Sequence, residues 1–529
     1  MSTLDPLGAH LEQSVPATER HGRGQYFTPD SLVRFVLSLV PTEGGPPQRV
    51  LDPACGSGRF LLGVEERWGR GVSDLVGYDT DSAARERALQ QLPEAKISPQ
   101  SFLEARPQGQ FDLVVGNPPY VRRRGIKRDL YVDFIETSLD HLADNGCLAF
   151  VLSNAWLSVE YGRLVQKVLL EKYAIDWIVE SSAESWFSGA SVNTMVLVAR
   201  RCDDAERRAA NQVRFGVLNE PLPSQPEIVR SVAQGTLSSD RAWAPMLRAP
   251  DLYLELSRSD RTTPLGELAS ISRGFTTNDN GFFYPDSNSG IEAEFLAPLL
   301  KGPRDIPGVR CRSDELRHQV LLVSEDRKEI SHAEAPGLLR WAKAHGRGKD
   351  PSSWTLRPQE PAQLFLAKGY HDRFRQALSD KPVFADQQIY LVHPRAEIGA
   401  RLLASLLNSS WFQLALELTG RVNFGDGVLW LGLKDARQHL CVPSLRAGLR
   451  ASSARLGDLF DALPDEPVPR LGTYSDHPQW REARDRLDRE IAGLLNLDWG
   501  DYLSLREAGE SLCARRLSLA KVRRESARS

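Results

Sequence analysis

At 529 residues the chain is long enough for two or more hydrophobic cores. Its composition, 41% hydrophobic and 26% charged with a formal net charge of −3, excludes a chain-wide basic surface, so any contact with nucleic acid must be local. No segment is apolar for long enough to span a bilayer, the N-terminus lacks a signal-peptide pattern, and the six scattered cysteines form no CxxC pair or His/Cys cluster. These features argue against structural zinc and membrane contact and fit reduced thiols in a cytoplasm.

Residues 1–21 are polar and irregular and read as a flexible arm. From Leu32 to Val40 the spacing predicts a short amphipathic helix. Val50-Leu51-Asp52 reads as the end of a strand entering a glycine turn, followed by a helix over 59–69, a strand at Leu75–Asp79 and a helix over 82–92. A weak strand near Ala95–Ile97 precedes another at Asp112–Val115. Then come a helix over 129–143 and strands at Cys147–Leu152, Ile175–Glu180 and Asn193–Ala199. Strands alternating with helices predict a mainly parallel, doubly wound α/β sheet. Pro, Ser and Gln enrichment marks 219–261 as a linker. Beyond it, short strand-like runs without a βαβ rhythm (Val320–Val323, Gln363–Leu366, Val383–Phe384, Ile389–Val392) predict a second, α+β domain over 262–450. Residues 451–529 read as a helical region, with Leu487, Ile491, Leu494 and Leu495 on one stripe, ending in a frayed basic tail.

Three segments carry chemistry. Asn117-Pro118-Pro119-Tyr120 follows the buried run Phe111–Gly116. Its two prolines fix φ and remove two donors, which makes the loop stiff. Stiffness suits an Asn amide and a Pro118 carbonyl that together accept from one planar amine, with an aromatic ring two residues on to stack on the group bearing it. Asp52-Pro53-Ala54-Cys55-Gly56-Ser57-Gly58 is a strand-to-helix turn whose glycines permit close approach of a ligand. The phosphate-binding GxGxxG pattern is incomplete, because Leu61 stands at its last position. The turn suits a cofactor with adenosine and amino-acid ends. Asp52 can then accept from an ammonium, and Asp79 at the next strand end from ribose hydroxyls, unless Asp79 merely caps the following helix in place of Asp81 or Ser82. Gly24-Gln25-Tyr26-Phe27-Thr28-Pro29 reads on its own as a helix start, with Thr28 or Asp30 as cap.

In this order the segments resemble the γ-class S-adenosylmethionine-dependent DNA adenine-N6 methyltransferases, the TaqI-like and Eco57I-like group. The resemblance is strong over about 22–200 and loose over 262–445. It implies a Rossmann-like doubly wound methyltransferase sheet over 22–218, then a second α+β target-recognition domain and C-terminal helices. It also implies S-adenosylmethionine as cofactor. Tyr26, Phe27 and Thr28 would meet its methionine end, Asp52, Ala54 and Gly56 its amino-acid end, Asp79 its ribose and Phe102 its adenine. Ser101 stands where many relatives carry an Asp. Asn117 and Pro118 would orient the target amine, and Tyr120 and Phe187 would sandwich a flipped adenine.

The implied partner is double-stranded DNA, bound by a monomer in the cytoplasm of a bacterium or archaeon. Arg122, Arg123, Arg124 and Lys127, beside the loop, would contact phosphates, unless they form a merely solvated basic loop. Lys301, Arg304, Arg310, Arg312 and Arg317 form a second basic cluster that could reach base edges. Nothing resembles a PD-(D/E)xK nuclease, so any cognate restriction endonuclease is expected to be separately encoded. Methylation of RNA, or of a protein glutamine amide, is the alternative reading of the same Asn-Pro-Pro-Tyr loop.

Overall fold

The computed structural model describes residues 28–105, 107–120, 130–158, 162–184, 186–187, 193–324, 334–347, 354–422, 427–445 and 450–526. The expected N-terminal arm lies outside them. The chain forms two compact units, the first running to Arg248 and taking in the C-terminal end from Ser518, the second comprising Ala249–Asn423 and Gly427–Leu517.

In the first unit, α1 (Asp30–Ser38) precedes β1 (Arg49–Asp52), α2 (Arg59–Trp68), β2 (Asp74–Tyr78), α3 (Ser82–Gln91), β3 (Lys96–Ser98) and β4 (Phe111–Gly116). There follow α4 (Leu130–His141), β5 (Leu142–Ser153), α5 (Gly162–Lys172), β6 (Tyr173–Ser181), β7 (Thr194–Arg201), α6 (Ala205–Ala210), β8 (Gln212–Leu218) and β9 (Glu227–Ala233). The nine strands form one sheet in the order β3-β2-β1-β4-β5-β7-β6-β8-β9. Pairings from β3 through β5 are all parallel. The central strand β4 is almost wholly buried, as a sheet covered on both faces requires. From β1 the order runs one way through β2 and the other way through β4, which opens a crevice at their C-terminal ends.

The expectation of a mainly parallel sheet needs one amendment. Strand β7 runs antiparallel between β5 and β6. The stretch from β6 to β7 holds no helix among its described residues, and a connection without a crossover helix returns a strand antiparallel. The expected linker over 219–261 is also substantially structured. Its Ile228, Val229 and Val232 sit on β9, which adds to the sheet antiparallel to β8. β-branched residues favour that geometry despite the surrounding Pro and Ser. Helices Ala244–Arg248 (α7) and Asp251–Leu256 (α8) follow within the same stretch.

The helix α1 packs its Leu32, Val33, Val36 and Leu37 against α2 and the sheet. Gly63 on α2 makes this possible, because a Cβ there would lie 2.5 Å from Val33.

The second unit is built on a mainly antiparallel sheet. Its strands are β10 (Ala269–Arg273), β11 (Leu296–Leu300), β12 (Arg310–Cys311), β13 (His318–Leu321), β14 (Ala362–Ala367), β15 (Ala377–Ala385) and β16 (Ile389–Pro394). The order is β10-β16-β14-β15-β11-β13, with β12 beside β15. Helix α9 (Ala400–Leu407) is buried from Leu403 onward, and α10 (Ser410–Thr419) along nearly its whole length. Around them lie α11 (Arg450–Asp461), α12 (Pro478–Leu494) and α13 (Trp499–Ser526).

The C-terminal helices belong to this unit's core. Asp488 on α12 accepts from the Ser410 backbone N–H at 2.9 Å, the Ser410 hydroxyl at 2.6 Å and the Tyr502 hydroxyl at 2.9 Å. Arg516 is buried in an ion pair with Glu417 at 2.6 Å, so this part of the expected frayed tail is fixed helix. Burial without partners is costly for such charges, and each has one.

Candidate functional site

The glycine turn leaves β1 at Asp52, which is 1% exposed. Its Oδ1 accepts from the Ala54 N–H at 3.1 Å, and no cation pairs with it among the described residues. Burial pushes its carboxyl up to about 8. The charge of Asp79 adds to the rise, and the Ala54 N–H opposes it. Gly56 and Gly58 adopt φ of +51° and +83°, a region where an ordinary side chain is strained.

Asp79 follows β2 and closes the turn from the other side. Its Oδ2 accepts from the Gly56 N–H at 2.8 Å and its Oδ1 from the Asp81 N–H at 2.8 Å. Burial, against these two bonds, holds its carboxyl above the usual range. The capping alternative for Asp79 does not hold, since Asp81 caps α3 by accepting from the Ala84 N–H at 3.1 Å. Arg85 on α3 donates to the Asp79 carbonyl at 2.9 Å. No sequence pattern singled that residue out.

Strand β4 ends at Gly116, beside Asp52. A Cβ on Gly116 would lie 2.6 Å from the Asp52 Oδ1. The Asn117-Pro118-Pro119-Tyr120 loop therefore starts in contact with the glycine turn, as strands β1 and β4, paired in parallel, require. Asn117 is half-buried. Its Nδ2 donates to Thr28 Oγ1 at 3.2 Å. The Tyr120 hydroxyl donates to Asn117 Oδ1 and lies 3.3 Å from the Val151 carbonyl of β5. Thr28, 6% exposed, does not cap α1. The N-cap is Pro29, and no side chain caps that end.

The structure thus gathers Thr28, Asp52, Ala54, Gly56, Asp79, Asn117, Pro118 and Tyr120 at one end of the sheet. Tyr26, Phe27, Arg122, Arg123, Arg124 and Lys127 fall outside the described residues. Phe102 is 1% exposed in a core of aromatic rings, 5.8 Å from Phe134 and 5.8 Å from Tyr78. Phe187 is likewise buried, in the cluster that contains Trp186 and Phe35. Both rings pack in the core here.

In the second unit Lys301 and Arg304 are both exposed. Two other members of that basic cluster are spent internally. Arg310 binds Asp465 and the Phe460 carbonyl, and Arg312 binds Asp314. Arg304 instead lines a cleft of about 650 Å³ with Arg373, Arg375, His371, Tyr370 and Trp430. Arg375 is held by the Pro303 carbonyl at 2.6 Å, and burial lowers its affinity for its proton. Spacing in sequence gave no sign of this cleft, because its walls come from 303–307, 365–377, 388–389 and 428–430 together with Pro467.

Among the described residues, no His, Cys, Asp or Glu cluster could hold a metal ion, and no helix is long and apolar enough to cross a membrane.

Residues 78–187 match the family model described as Eco57I restriction-modification methylase. The chain is 28% identical over 423 residues to the Type II methyltransferase M.PaeR7I of Pseudomonas aeruginosa, covering 66% of this chain and 73% of that protein. It is 23% identical over 481 residues to the Type II methyltransferase M.XamI of Xanthomonas campestris pv. amaranthicola, covering 81% and 84%. The fold is shared with the Type IIL restriction-modification enzyme MmeI, solved in complex with DNA. The TM-score is 0.57 at 14% identity, covering 94% of this chain and 75% of that one. The cofactor is S-adenosylmethionine. The buried Asp52 carboxyl, with no cation of its own among the described residues, fits its ammonium. The motif resemblance thus holds, and residues 78–187 carry an Eco57I-type restriction-modification methylase domain within a chain homologous to Type II methyltransferases.

Proposed function

We propose that the protein methylates the N6 amine of adenine in double-stranded DNA, as the modification enzyme of a restriction-modification system with a separately encoded endonuclease. The observation that carries this reading is the contact of Gly116 with Asp52, which sets the Asn117 amide beside the cofactor turn.

The bound cofactor supplies an electrophilic methyl group on a sulfonium. Asp52 would receive its ammonium and Asp79 its ribose, with the Ala54–Gly56 backbone lining the turn between them. Adenine N6 is nearly planar, with its lone pair delocalised into the ring. Asn117 Oδ1 has two lone pairs, one engaged by Tyr120 and one left for an amine hydrogen. The Pro118 carbonyl accepts the other. Accepting both hydrogens favours a more tetrahedral nitrogen whose lone pair can face the methyl group. The amine nitrogen would take that methyl group, the new carbon–nitrogen bond replacing the donor's carbon–sulfur bond, and its surplus proton would pass to water. Alignment and local electrostatics supply the acceleration, with little need for a strong base.

A stacked base cannot reach this loop, so the adenine is flipped out of the duplex. Tyr120 stacks on it, worth roughly 1–3 kcal/mol, and Phe187 is the second stacking candidate. Arg122, Arg123, Arg124 and Lys127 are assigned to phosphates next to the flipped base, and Lys301 and Arg304 to the duplex beyond.

Labelled S-adenosylmethionine, duplex DNA and nucleoside analysis test the assignment. Label is expected in N6-methyladenine, and Asn117→Ala should abolish transfer while cofactor binding stays nearly intact. Label in cytosine, in RNA or in protein instead, or near-normal turnover by the variant, refutes it.

A further inference from the structure

Asn117 is gripped at both ends of its amide, and one grip comes from far away in sequence. Thr28 Oγ1 accepts from Asn117 Nδ2 at 3.2 Å across 89 positions of chain. A threonine just ahead of a helix normally spends its hydroxyl on the helix's own free N–H groups. Here the N-cap is Pro29 and no side chain caps α1, so the Thr28 oxygen is committed to no donor at that helix start. The residue is 6% exposed, and water has little access to replace it.

We propose that Thr28 is a positioning residue for methyl transfer, holding the Asn117 amide so that its carbonyl oxygen faces the target amine. This rests on the reading of Asn117 as the amine-binding group. An asparagine side chain on a loop turns about two torsions, and the prolines that follow stiffen only the backbone. Its amide nitrogen is fixed by Thr28, and its oxygen is fixed by Tyr120, whose hydroxyl also lies near Val151 of β5. Loss of the Thr28 oxygen leaves the amide nitrogen without that partner and lets the amide rotate. A rotated amide offers the incoming amine a donor where an acceptor is needed. Helix α1 thereby takes part in the chemistry through its flanking residue, separately from the packing of its apolar face.

The test is steady-state methylation of N6-unmethylated plasmid DNA by the full chain, together with direct measurement of S-adenosylmethionine binding. Thr28→Val should lower kcat about 10- to 100-fold, the range in which small misplacements act. That kcat is read at saturating S-adenosylmethionine, and the measured cofactor binding reports a folded cofactor site. Thr28→Ser keeps the oxygen and should retain kcat within about 3-fold. Unchanged kcat in Thr28→Val overturns the proposal, as does an equal loss in Thr28→Ser. A loss carried wholly by weaker cofactor binding overturns it too, and would give the hydroxyl to the cofactor instead. These failures all occur with an active wild type. A wild type that transfers no methyl group to DNA overturns the functional reading and this inference together.

Discussion

Raising the pH from 6 to 8 should tighten S-adenosylmethionine binding. The Asp52 carboxyl is pushed up to about 8, chiefly by burial, so in the empty protein it holds its proton through neutrality. An ammonium placed against it requires the carboxylate, so binding below that pH must expel one proton. Linkage then gives about a tenfold gain in affinity per pH unit, about 1.4 kcal/mol. The gain should end near pH 8, where the cofactor's own α-amino group, with an ordinary pKa of about 7.7–8.0, begins to lose its charge.

Titration calorimetry at pH 6.5 in two buffers of different ionisation enthalpy should show close to one proton released per cofactor bound. In Asp52→Asn the release and the pH slope should both vanish. The empty protein carries the opposite sign. A carboxyl raised above its unfolded value of about 4 favours the folded state most at low pH, and that contribution is lost as pH rises to about 8. Thermal melts of the empty wild type should therefore decline across this window more steeply than those of Asp52→Asn. The raised Asp79 carboxyl contributes in the same direction in both proteins. A cofactor Kd that is flat from pH 6 to 8 in the wild type would refute the placement of the ammonium on Asp52.

Two further outcomes are expected. Gly58→Ala puts a side chain at φ +83° with its Cβ 3.1 Å from Ala88, so it should cost about 1–2 kcal/mol and depress the melting temperature; an unchanged melting curve would contradict the strained turn. Arg304→Gln and Arg373→Gln, on the cleft of the second unit, should each reduce the salt slope of DNA binding by about one if each guanidinium meets a phosphate. Equal slopes in variants and wild type would remove the cleft from the DNA surface.

The first unit's α/β rhythm was legible because its parallel strands are short apolar runs bounded by turn residues, and α1 and α2 carry clear apolar faces. Periodicity could not assign the direction of β7 or find β9. Direction depends on the connection between strands, and β9 on a few β-branched residues inside a segment of linker-like composition. Asp52, Gly56 and Asn117 could be singled out because each sits where a strand runs into a turn. The bond from Thr28 to Asn117 could not, since it joins segments 89 positions apart, and the Asp52–Gly116 contact follows from strand order rather than from either motif. The basic cluster around 301–317 looked uniform in sequence. Its members divide only when Asp465 and Asp314 are seen to neutralise Arg310 and Arg312.

The hydrogen bonds of Asp488 and the Arg516–Glu417 pair bear on how this protein can be cut. A fragment ending near residue 450 would strand the Ser410 hydroxyl and the Trp411 N–H, which Asp488 and Tyr502 now receive, and would leave Glu417 as a lone interior anion. Exchanging this unit with that of a relative would thus require the junction to lie near Ala249 and the exchanged piece to extend through Leu517.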